Sequence, residues 1–169
     1  HGTVEECFYL SSLLPEFADT MYSKNVYTKR LENVPHLILV AYQNEQPIGF
    51  KIGYQRTSDG TFYSWLGGVL PEYRRQGIAK KLADEQEKWA KLAGYHAITF
   101  KTRNYLKAML IFALQNGFKQ ENLLTPESEA AWKEWLKTGV YKPWEKKDWD
   151  KKDSHDTIGM IAIDKSGNL

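Results

Sequence analysis

One stretch of this chain, residues 61–93, constrains the fold most, because its pattern changes from strand to loop to helix. Its first part predicts a strand by its β-forming residues, which are Phe62, Tyr63, Trp65 and Val69. Gly67-Gly68 within that strand predicts a β-bulge. Its last part predicts an amphipathic helix by apolar residues at helical spacing, which are Ile78, Leu82, Trp89 and Ala93. Gly94 is a favoured residue just beyond a helix end.

The loop between this strand and this helix contains the basic segment Arg74-Arg75-Gln76-Gly77. A helix N-terminus presents unpaired backbone N–H groups and the positive end of the helix dipole. Two arginines and a glycine at such a place predict a binding site for phosphate or pyrophosphate. A turn with a solvated, basic start is the alternative interpretation of the same residues.

The spacing Arg74-x-x-Gly77-x-Ala79, in this context, resembles the acetyl-CoA pyrophosphate loop of the GNAT N-acetyltransferases. A second segment fits the same family, because residues 98–118 resemble the strand, asparagine, helix and Gly-Phe ending found near the end of GNAT domains. The two segments follow each other in the family's order. The resemblance covers about residues 8–118 and implies an acetyl-CoA-dependent N-acetyltransferase.

The remaining pattern predicts an α/β (α+β) fold with a mixed central sheet, in which an antiparallel meander is followed by strand, helix, strand and helix. Strands are predicted at 36–42, 47–56, 61–70 and 97–102. Residues 8–31 are predicted to be mostly helical with an interruption at Pro15, and a last helix is predicted at 105–116. This order matches the fold that the GNAT resemblance implies.

The segment beyond Phe118 predicts a C-terminal extension, so we divide the chain into a GNAT domain at 1–118 and an extension at 119–169. The extension is predicted to contain a helix at 125–139, a charged loop at 145–153 and a strand at 157–164. We expect this strand to complete the sheet.

Parts of the extension, above all His155-Asp156-Thr157, resemble glycosylasparaginase, an N-terminal-nucleophile hydrolase. That resemblance implies Thr157 as nucleophile and Asp156-Thr157 as a self-cleaving bond. Because the rest of the hydrolase pattern is not found in the chain, we interpret the extension as structural.

The composition of the chain limits which partners and which cellular location we expect for the protein. The chain of 169 residues carries a net charge of +2 and one cysteine, Cys7. We therefore expect no nucleic-acid or membrane partner, no internal disulfide and a cytoplasmic location, with a homodimer left open. Residues 1–6 lack the pattern of a signal peptide, and a start at His1 rather than Met leads us to expect a processed or truncated N-terminus.

The GNAT resemblance also implies which residues hold acetyl-CoA. Backbone groups of residues 68–70 would pair with the pantetheine, and N–H groups of residues 75–79 would hold the pyrophosphate. The implied cofactor-binding residues are Gly68, Val69, Leu70, Arg74, Arg75, Gln76, Gly77, Ile78, Ala79, Asn104 and Phe112. Asn104 can equally be a plain helix cap, and Phe112 can equally be a core residue.

The catalytic groups are less evident in the sequence. Many GNAT enzymes have a tyrosine acid four residues before the Gly-Phe pair, where this chain has Ala113. Tyr63 and Ser64 are the polar side chains nearest the predicted bulge, so we name them as catalytic candidates, with ordinary strand residues as the alternative. The acceptor would be a small-molecule or peptide amine. No metal is expected, because the histidines and the cysteine lack metal-ligand spacing. The missing tyrosine also leaves open a catalytically weak acyl-CoA-binding module.

Overall fold

The structure is a computed structural model that describes residues 1–18, 21–103, 106–121 and 157–162. Within them, four α-helices pack on a six-stranded mixed sheet. The helices are α1 (Val4–Leu13), α2 (Lys24–Leu31), α3 (Ile78–Leu92) and α4 (Lys107–Gln115). The strands are β1 (His36–Gln43), β2 (Gln46–Tyr54), β3 (Thr61–Val69), β4 (Ala97–Arg103), β5 (Phe118–Glu121) and β6 (Thr157–Ala162). The predicted α/β fold is confirmed.

The N-terminal helical region is broken where the sequence predicts, but it begins earlier. Thr3 and Glu6 form a capping box, in which the Glu6 N–H donates to the Thr3 hydroxyl at 3.2 Å and the Thr3 N–H donates to the Glu6 carboxylate at 2.8 Å. This pair starts α1 at Val4 rather than at Phe8. Pro15 ends the helical run and opens a 3₁₀ turn over Pro15–Phe17.

The strands lie in the order β1-β2-β3-β4-β6-β5. The first three form the predicted antiparallel meander, and β4 then pairs parallel to β3. The short strand β5 was not predicted, because four residues carry too little alternation to be detected. Strand β6 lies antiparallel between β4 and β5. The expectation that the late strand completes the sheet is therefore confirmed.

The predicted bulge is present in β3, but its predicted position was wrong. Gly67 and Gly68 pair regularly with Lys51 and Phe50 of β2. The register shift lies further back, where Gly53 pairs with Ser64 while Ile52 pairs with Leu66, so Trp65 is the extra residue. The reason is packing, because the Trp65 ring lies among the aromatic rings of the neighbouring core, and no local sequence signal records that.

The sheet separates two cores. On one face α1 and α2 cover a cluster that includes Leu10, Tyr27 and Trp65. On the other face α3 and α4 cover the sheet, and α3 buries the row Leu82, Gln86 and Ala90. The predicted apolar stripe was wrong at its end, because Ala93 is exposed and lies just beyond the last residue of α3.

Some predictions fall outside the described residues. They concern Asn104, the helix at 125–139, the loop at 145–153, His155 and Asp156. In the part of the chain that the structure describes, no helix has the length and apolar character to cross a membrane.

Candidate active site

A gap in the sheet is the central feature of the site. The parallel pairing of β3 with β4 is limited to three pairs, the last of which joins Tyr63 to Thr99. Both strands continue beyond this point, but β4 then pairs only with β6. The edge of β3 that faces β4 therefore lacks a strand partner beyond Tyr63 among the described residues. An extended ligand can use such an edge as an added strand would.

The basic loop ends at the N-terminus of α3. This helix end is close in sequence to the end of β3, where β3 is no longer paired with β4. Gly77 is the N-cap residue, with a φ of 78°, and no side chain of a described residue caps the helix. The first amides of α3 therefore lack a side-chain acceptor. A glycine is favoured here because left-handed backbone is strained for other residues. Arg75 also has a positive φ, of 63°, which turns the loop sharply before the helix.

Arg74 and Arg75 have different surroundings. The Arg74 guanidinium donates to the Val69 carbonyl at 2.9 Å and forms an ion pair with Glu16 at 2.9 Å. It thereby ties the loop to the turn after α1. Arg75 and Gln76 are exposed, and Arg75 has no ion pair among the described residues. Of the two arginines, Arg75 is therefore the one whose guanidinium is available to bind a phosphate.

The end of β3 is closely packed, and its backbone is paired with β2 on one side. Gly68 pairs with Phe50, and the Leu70 N–H donates to the Ile48 carbonyl at 2.9 Å. Val69 and Leu70 are buried. A Cβ on Gly68 would collide with the Leu14 side chain. The small residue at position 68 thus has a packing reason that is independent of any ligand.

A cavity of about 20 Å³ lies between α3, α4 and the sheet, with room for about one water molecule. Ser64 and Phe112 both line it, so the structure brings these two predicted site residues together. Ala113 lines it as well and is fully buried. Residues of α3 close the opposite side, among them Ala83, Asp84, Gln86 and Glu87.

Sequence reasoning missed two polar side chains in this cavity. Lys51 of β2 lines it, and burial lowers the pKa of its ammonium from 10.5 to about 8. Gln86 of α3 is fully buried, and neither its amide nitrogen nor its amide oxygen has a hydrogen-bond partner among the residues that the structure describes. The position of Gln86 was detectable, because it lies four residues after Leu82 and four before Ala90 on the buried face of α3.

Tyr63 lies on the opposite face from Ser64, because successive residues of a strand alternate. Its ring lies edge-on to Tyr54 with centroids 5.6 Å apart, and the Arg56 guanidinium is 4.9 Å from its centroid. Burial raises the pKa of the Tyr63 phenol, and the positive charges of Arg56 and Arg30 partly oppose that rise. The two predicted catalytic residues therefore lie on opposite faces of the sheet beside the gap.

The remaining predicted residues follow the loop. Ile78 and Ala79 are the first two residues of α3, so their N–H groups belong to the uncapped helix end. Within the described residues, no group of three or more His, Cys, Asp or Glu side chains is arranged to hold a metal ion.

Comparison with known proteins identifies the class of this fold. Residues 4–118 match the model of the acetyltransferase (GNAT) family. The chain belongs to this family.

Solved structures share the fold. The ribosomal-protein-S18-alanine N-acetyltransferase of Escherichia coli superposes with a TM-score of 0.65 at 14% identity, covering 94% of this chain and 86% of that one. The PaiA N-acetyltransferase of Thermoplasma acidophilum, solved in complex with coenzyme A, gives 0.64 at 17% identity over 95% and 92%. A GNAT-family acetyltransferase of Staphylococcus aureus gives 0.66 at 19% identity over 98% and 92%.

A separate similarity concerns a smaller part of the chain. The N(4)-(β-N-acetylglucosaminyl)-L-asparaginase of Elizabethkingia miricola is 62% identical over 60 residues, which are 36% of this chain. The chain spans 16% of the length of that relative and 23% of a Drosophila persimilis relative. The glycosylasparaginase resemblance of the sequence is thereby confirmed for a fragment.

Proposed function

We propose that this protein transfers an acetyl group from acetyl-CoA to a primary amine. The observation that carries the proposal concerns the N-terminus of α3, which is capped by Gly77 and follows the end of β3. Within the described residues, its first amides have no side-chain acceptor, and the end of β3 has no strand partner on the β4 side. The helix end offers N–H groups and a positive dipole to a pyrophosphate. The unpaired edge of β3 offers hydrogen bonds to the amides of a pantetheine arm.

Each cofactor-binding residue has a proposed part in this arrangement. Residues 75–79 supply N–H groups to the pyrophosphate, and the Arg75 side chain adds charge. Residues 68–70 line the pantetheine path, and Phe112 borders the cavity at its side. Arg74 acts by holding the loop through Glu16, in addition to any phosphate contact. Asn104 remains a proposed contact outside the described residues.

The proposed reaction is a direct transfer. The amine nitrogen, after losing a proton, attacks the thioester carbonyl carbon, and the resulting oxyanion expels the CoA thiolate when the C–S bond breaks. The thiolate then takes up a proton. Tyr63 lies on the face from which an amine can arrive, so we propose it, with water, as the route by which the amine loses its proton.

Protonation of the thiolate is proposed on the other face. Ala113 carries no transferable proton, and Ser64 and Lys51 line the same cavity as Ala113. The lowered pKa of Lys51, about 8, suits an acid that operates near neutral pH. Solvent is the alternative donor. With solvent as the donor, we expect the rate to rise with pH as the acceptor amine loses its proton. With Lys51 as the donor, we expect this rise to reverse above about pH 8, where Lys51 loses its own proton.

Two matched glycine variants test the cofactor site. Gly77 and Gly94 lie at opposite ends of α3, have φ values of 78° and 87°, and have open space where a Cβ would stand. Gly77→Glu and Gly94→Glu therefore introduce the same charge and a similar strain, of about 1–2 kcal/mol. We expect only Gly77→Glu to abolish CoA binding in calorimetric titration. If Gly77→Glu bound CoA as tightly as Gly94→Glu, the proposed cofactor site would be wrong.

A catalytically weak acyl-CoA-binding module is the second candidate, favoured by the alanine at position 113. Turnover of acetyl-CoA with a panel of amines separates it from the enzyme, because the module would bind the cofactor without releasing free thiol.

The hydrolase fragment is a third candidate, favoured by the glycosylasparaginase similarity. Thr157 begins β6 and pairs with Arg103, and a cut at Asp156-Thr157 would be seen in the mass of the intact chain.

We also propose the division into an acetyltransferase unit at 1–118 and an extension at 119–169, supported by the end of the family match at residue 118. A cytoplasmic location is proposed because Cys7 is a free, buried thiol.

A homodimer is proposed because the apolar side chains of Ile111 and Leu114 on α4 are exposed, and light scattering tests it.

A further inference from the structure

Arginine and aromatic side chains gather on the face of the sheet that α1 and α2 cover. The Arg30 guanidinium lies 4.9 Å from the ring centroid of Tyr22 and 4.8 Å from that of Trp65. The Arg56 guanidinium lies 4.9 Å from the ring centroid of Tyr63. We refer to these five residues, Tyr22, Arg30, Arg56, Tyr63 and Trp65, as the arginine–aromatic cluster.

The cluster lies where the gap between β3 and β4 opens. Tyr63 is the last β3 residue paired with β4, and Trp65 is the bulged residue. Ser64, between them, faces the cavity on the other side of the sheet. A thioester held in the gap is therefore accessible to an amine that approaches from the cluster.

The two guanidinium groups retain their capacity to bind an anion. Neither Arg30 nor Arg56 forms an ion pair or a side-chain hydrogen bond with another described residue, whereas Lys24, Arg74 and Lys80 all have carboxylate partners. A guanidinium that stacks by its flat face keeps its N–H donors in the plane, where they can bind a carboxylate. Both positive charges reach the Tyr63 phenol, because both oppose the rise of its pKa.

We propose that this cluster binds a carboxylate of the acceptor, so that the acceptor is an amine that carries a carboxylate nearby. This inference rests on the proposed acetyl transfer and deepens it. Arg30 and Arg56 would each donate to carboxylate oxygens, while the rings of Tyr22, Tyr63 and Trp65 limit access of water. The carboxylate stays ionised and takes no part in bond making, while the amine forms the amide bond and the C–S bond breaks.

Tyrosine and tyramine form the first test, because these amines differ only by the carboxylate. We expect the wild-type protein to acetylate tyrosine with a higher kcat/KM than tyramine. Arg30→Gln and Arg56→Gln should each lower kcat/KM for tyrosine roughly 10- to 100-fold more than kcat/KM for tyramine, so that the preference for tyrosine is lost. The change for tyramine measures any effect of the lost charge on Tyr63. Arg30→Lys keeps the charge without the planar fork, so an intermediate loss is expected.

Lys29→Gln is the matched control, because Lys29 is an exposed cation next to Arg30 on α2 and outside the cluster. It should leave the preference for tyrosine unchanged. CoA affinity and thermal unfolding of every variant report whether the fold is intact. Arg56 is exposed at the end of β2, so Arg56→Gln provides a test even if Arg30→Gln is unstable.

If the protein acetylates neither tyrosine nor tyramine, a binding measurement still tests the inference. N-acetyltyrosine and N-acetyltyramine are titrated into the protein with CoA present, and tighter binding of N-acetyltyrosine that is lost in Arg56→Gln supports the inference. Equal binding of the two, or equal losses in Lys29→Gln, overturns it. Glycine and the peptide Gly-Asp, assayed in parallel, distinguish a free amino acid from an acidic peptide as the source of the carboxylate. CoA binding with a preference for tyramine would overturn this inference alone, whereas absence of CoA binding would refute the proposed function.

Discussion

At the scale of single residues, the cavity beside α3 and α4 shows how the fold holds polar groups in an apolar place. Lys51, which is half-buried, and Gln86, which is fully buried, both line this cavity, and Gln86 has no hydrogen-bond partner within the described residues. An unpartnered buried amide destabilises a fold by about 1–3 kcal/mol. A water molecule that bonds to Gln86 would remove that penalty, and the cavity has room for about one.

Lys51→Met should change how stability depends on pH. The folded-state pKa of Lys51 is lowered from 10.5 to about 8, so below pH 8 both states are protonated and the folded state carries the whole burial penalty. Between these two values the folded protein has released a proton that the unfolded chain still binds, so stability rises with pH. The methionine variant should be more stable by about 1–3 kcal/mol at neutral pH, with the difference vanishing as pH approaches 10.5.

Urea unfolding of both proteins across this pH range measures the difference directly. The comparison isolates Lys51, because every other titratable group is the same in both proteins. A constant difference at all pH values would show that Lys51 is solvated and that its pKa is ordinary.

Ala113→Tyr should destabilise the protein. Ala113 is fully buried beside Phe100, and the adjoining cavity of about 20 Å³ cannot hold a phenol ring. We expect a loss of about 1–3 kcal/mol from overpacking in thermal unfolding. Ala113→Ser, which adds a single oxygen, is the matched small variant and should lose less. A tyrosine variant with unchanged stability and higher turnover would show that cofactor binding opens this cavity.

At the scale of elements, the basic loop and α3 act as one unit, in which one arginine holds the loop and the other is available to a ligand. The pair of Arg74 with Glu16 joins the loop to the turn after α1, and both side chains are about 40% exposed. Such an exposed pair contributes about 0–1 kcal/mol to stability. Arg74 therefore acts on the position of the loop more than on stability. Its hydrogen bond to the Val69 carbonyl fixes where the loop leaves β3.

Arg75→Ala and Arg74→Ala should have separable effects. We expect Arg75→Ala to weaken CoA binding by about 1–3 kcal/mol without a change in stability, because its charge faces solvent. Arg74→Ala should lower both stability and CoA affinity modestly, because the loop loses its tie to Glu16. Calorimetric titration and thermal unfolding separate the two quantities. Equal affinity losses, with stability unchanged in both variants, would assign Arg74 to the phosphate directly.

At the scale of the whole molecule, the sheet is completed by a strand that is distant in sequence. Strand β6 pairs with β4 on one side and with β5 on the other, so its backbone is hydrogen-bonded on both edges. The position Ile161 pairs with Thr99 and with Lys119 at once. This arrangement makes the last described segment part of the central sheet on which the site is built.

Ile161→Pro should therefore destabilise the protein strongly. Proline removes a backbone donor and is excluded from the interior of central strands, so a loss of about 3 kcal/mol or more is expected. Thr157→Pro is the matched control, because Thr157 is the first residue of β6, a position where proline is tolerated. Urea unfolding gives both values. Equal stability of the two variants would show that β6 does not belong to the sheet in solution.

Much of the fold was predictable because its signals are local. A continuous apolar run predicted β1, alternating apolar residues predicted β2, and β-forming residues predicted β3. The helical spacing after Gly77 predicted α3. The basic loop before α3 was predictable for the same reason, since a basic glycine loop before a helix is a contiguous pattern. The site could not be completed in this way, because Lys51 and Gln86 meet Ser64 only through the packing of three separate elements.

The sequence by itself determined the order of the elements apart from β5, the basic glycine loop before α3 and the resemblance to the family, because each depends on local patterns in the chain. Only the tertiary structure decided that the bulge falls at Trp65, that Tyr63 and Ser64 face opposite sides of the gap, and that β6 lies between β4 and β5. The register of a strand follows from what packs on its two faces. Those faces are built from α1, α2, α3 and α4, whose contacts with the sheet are remote in sequence.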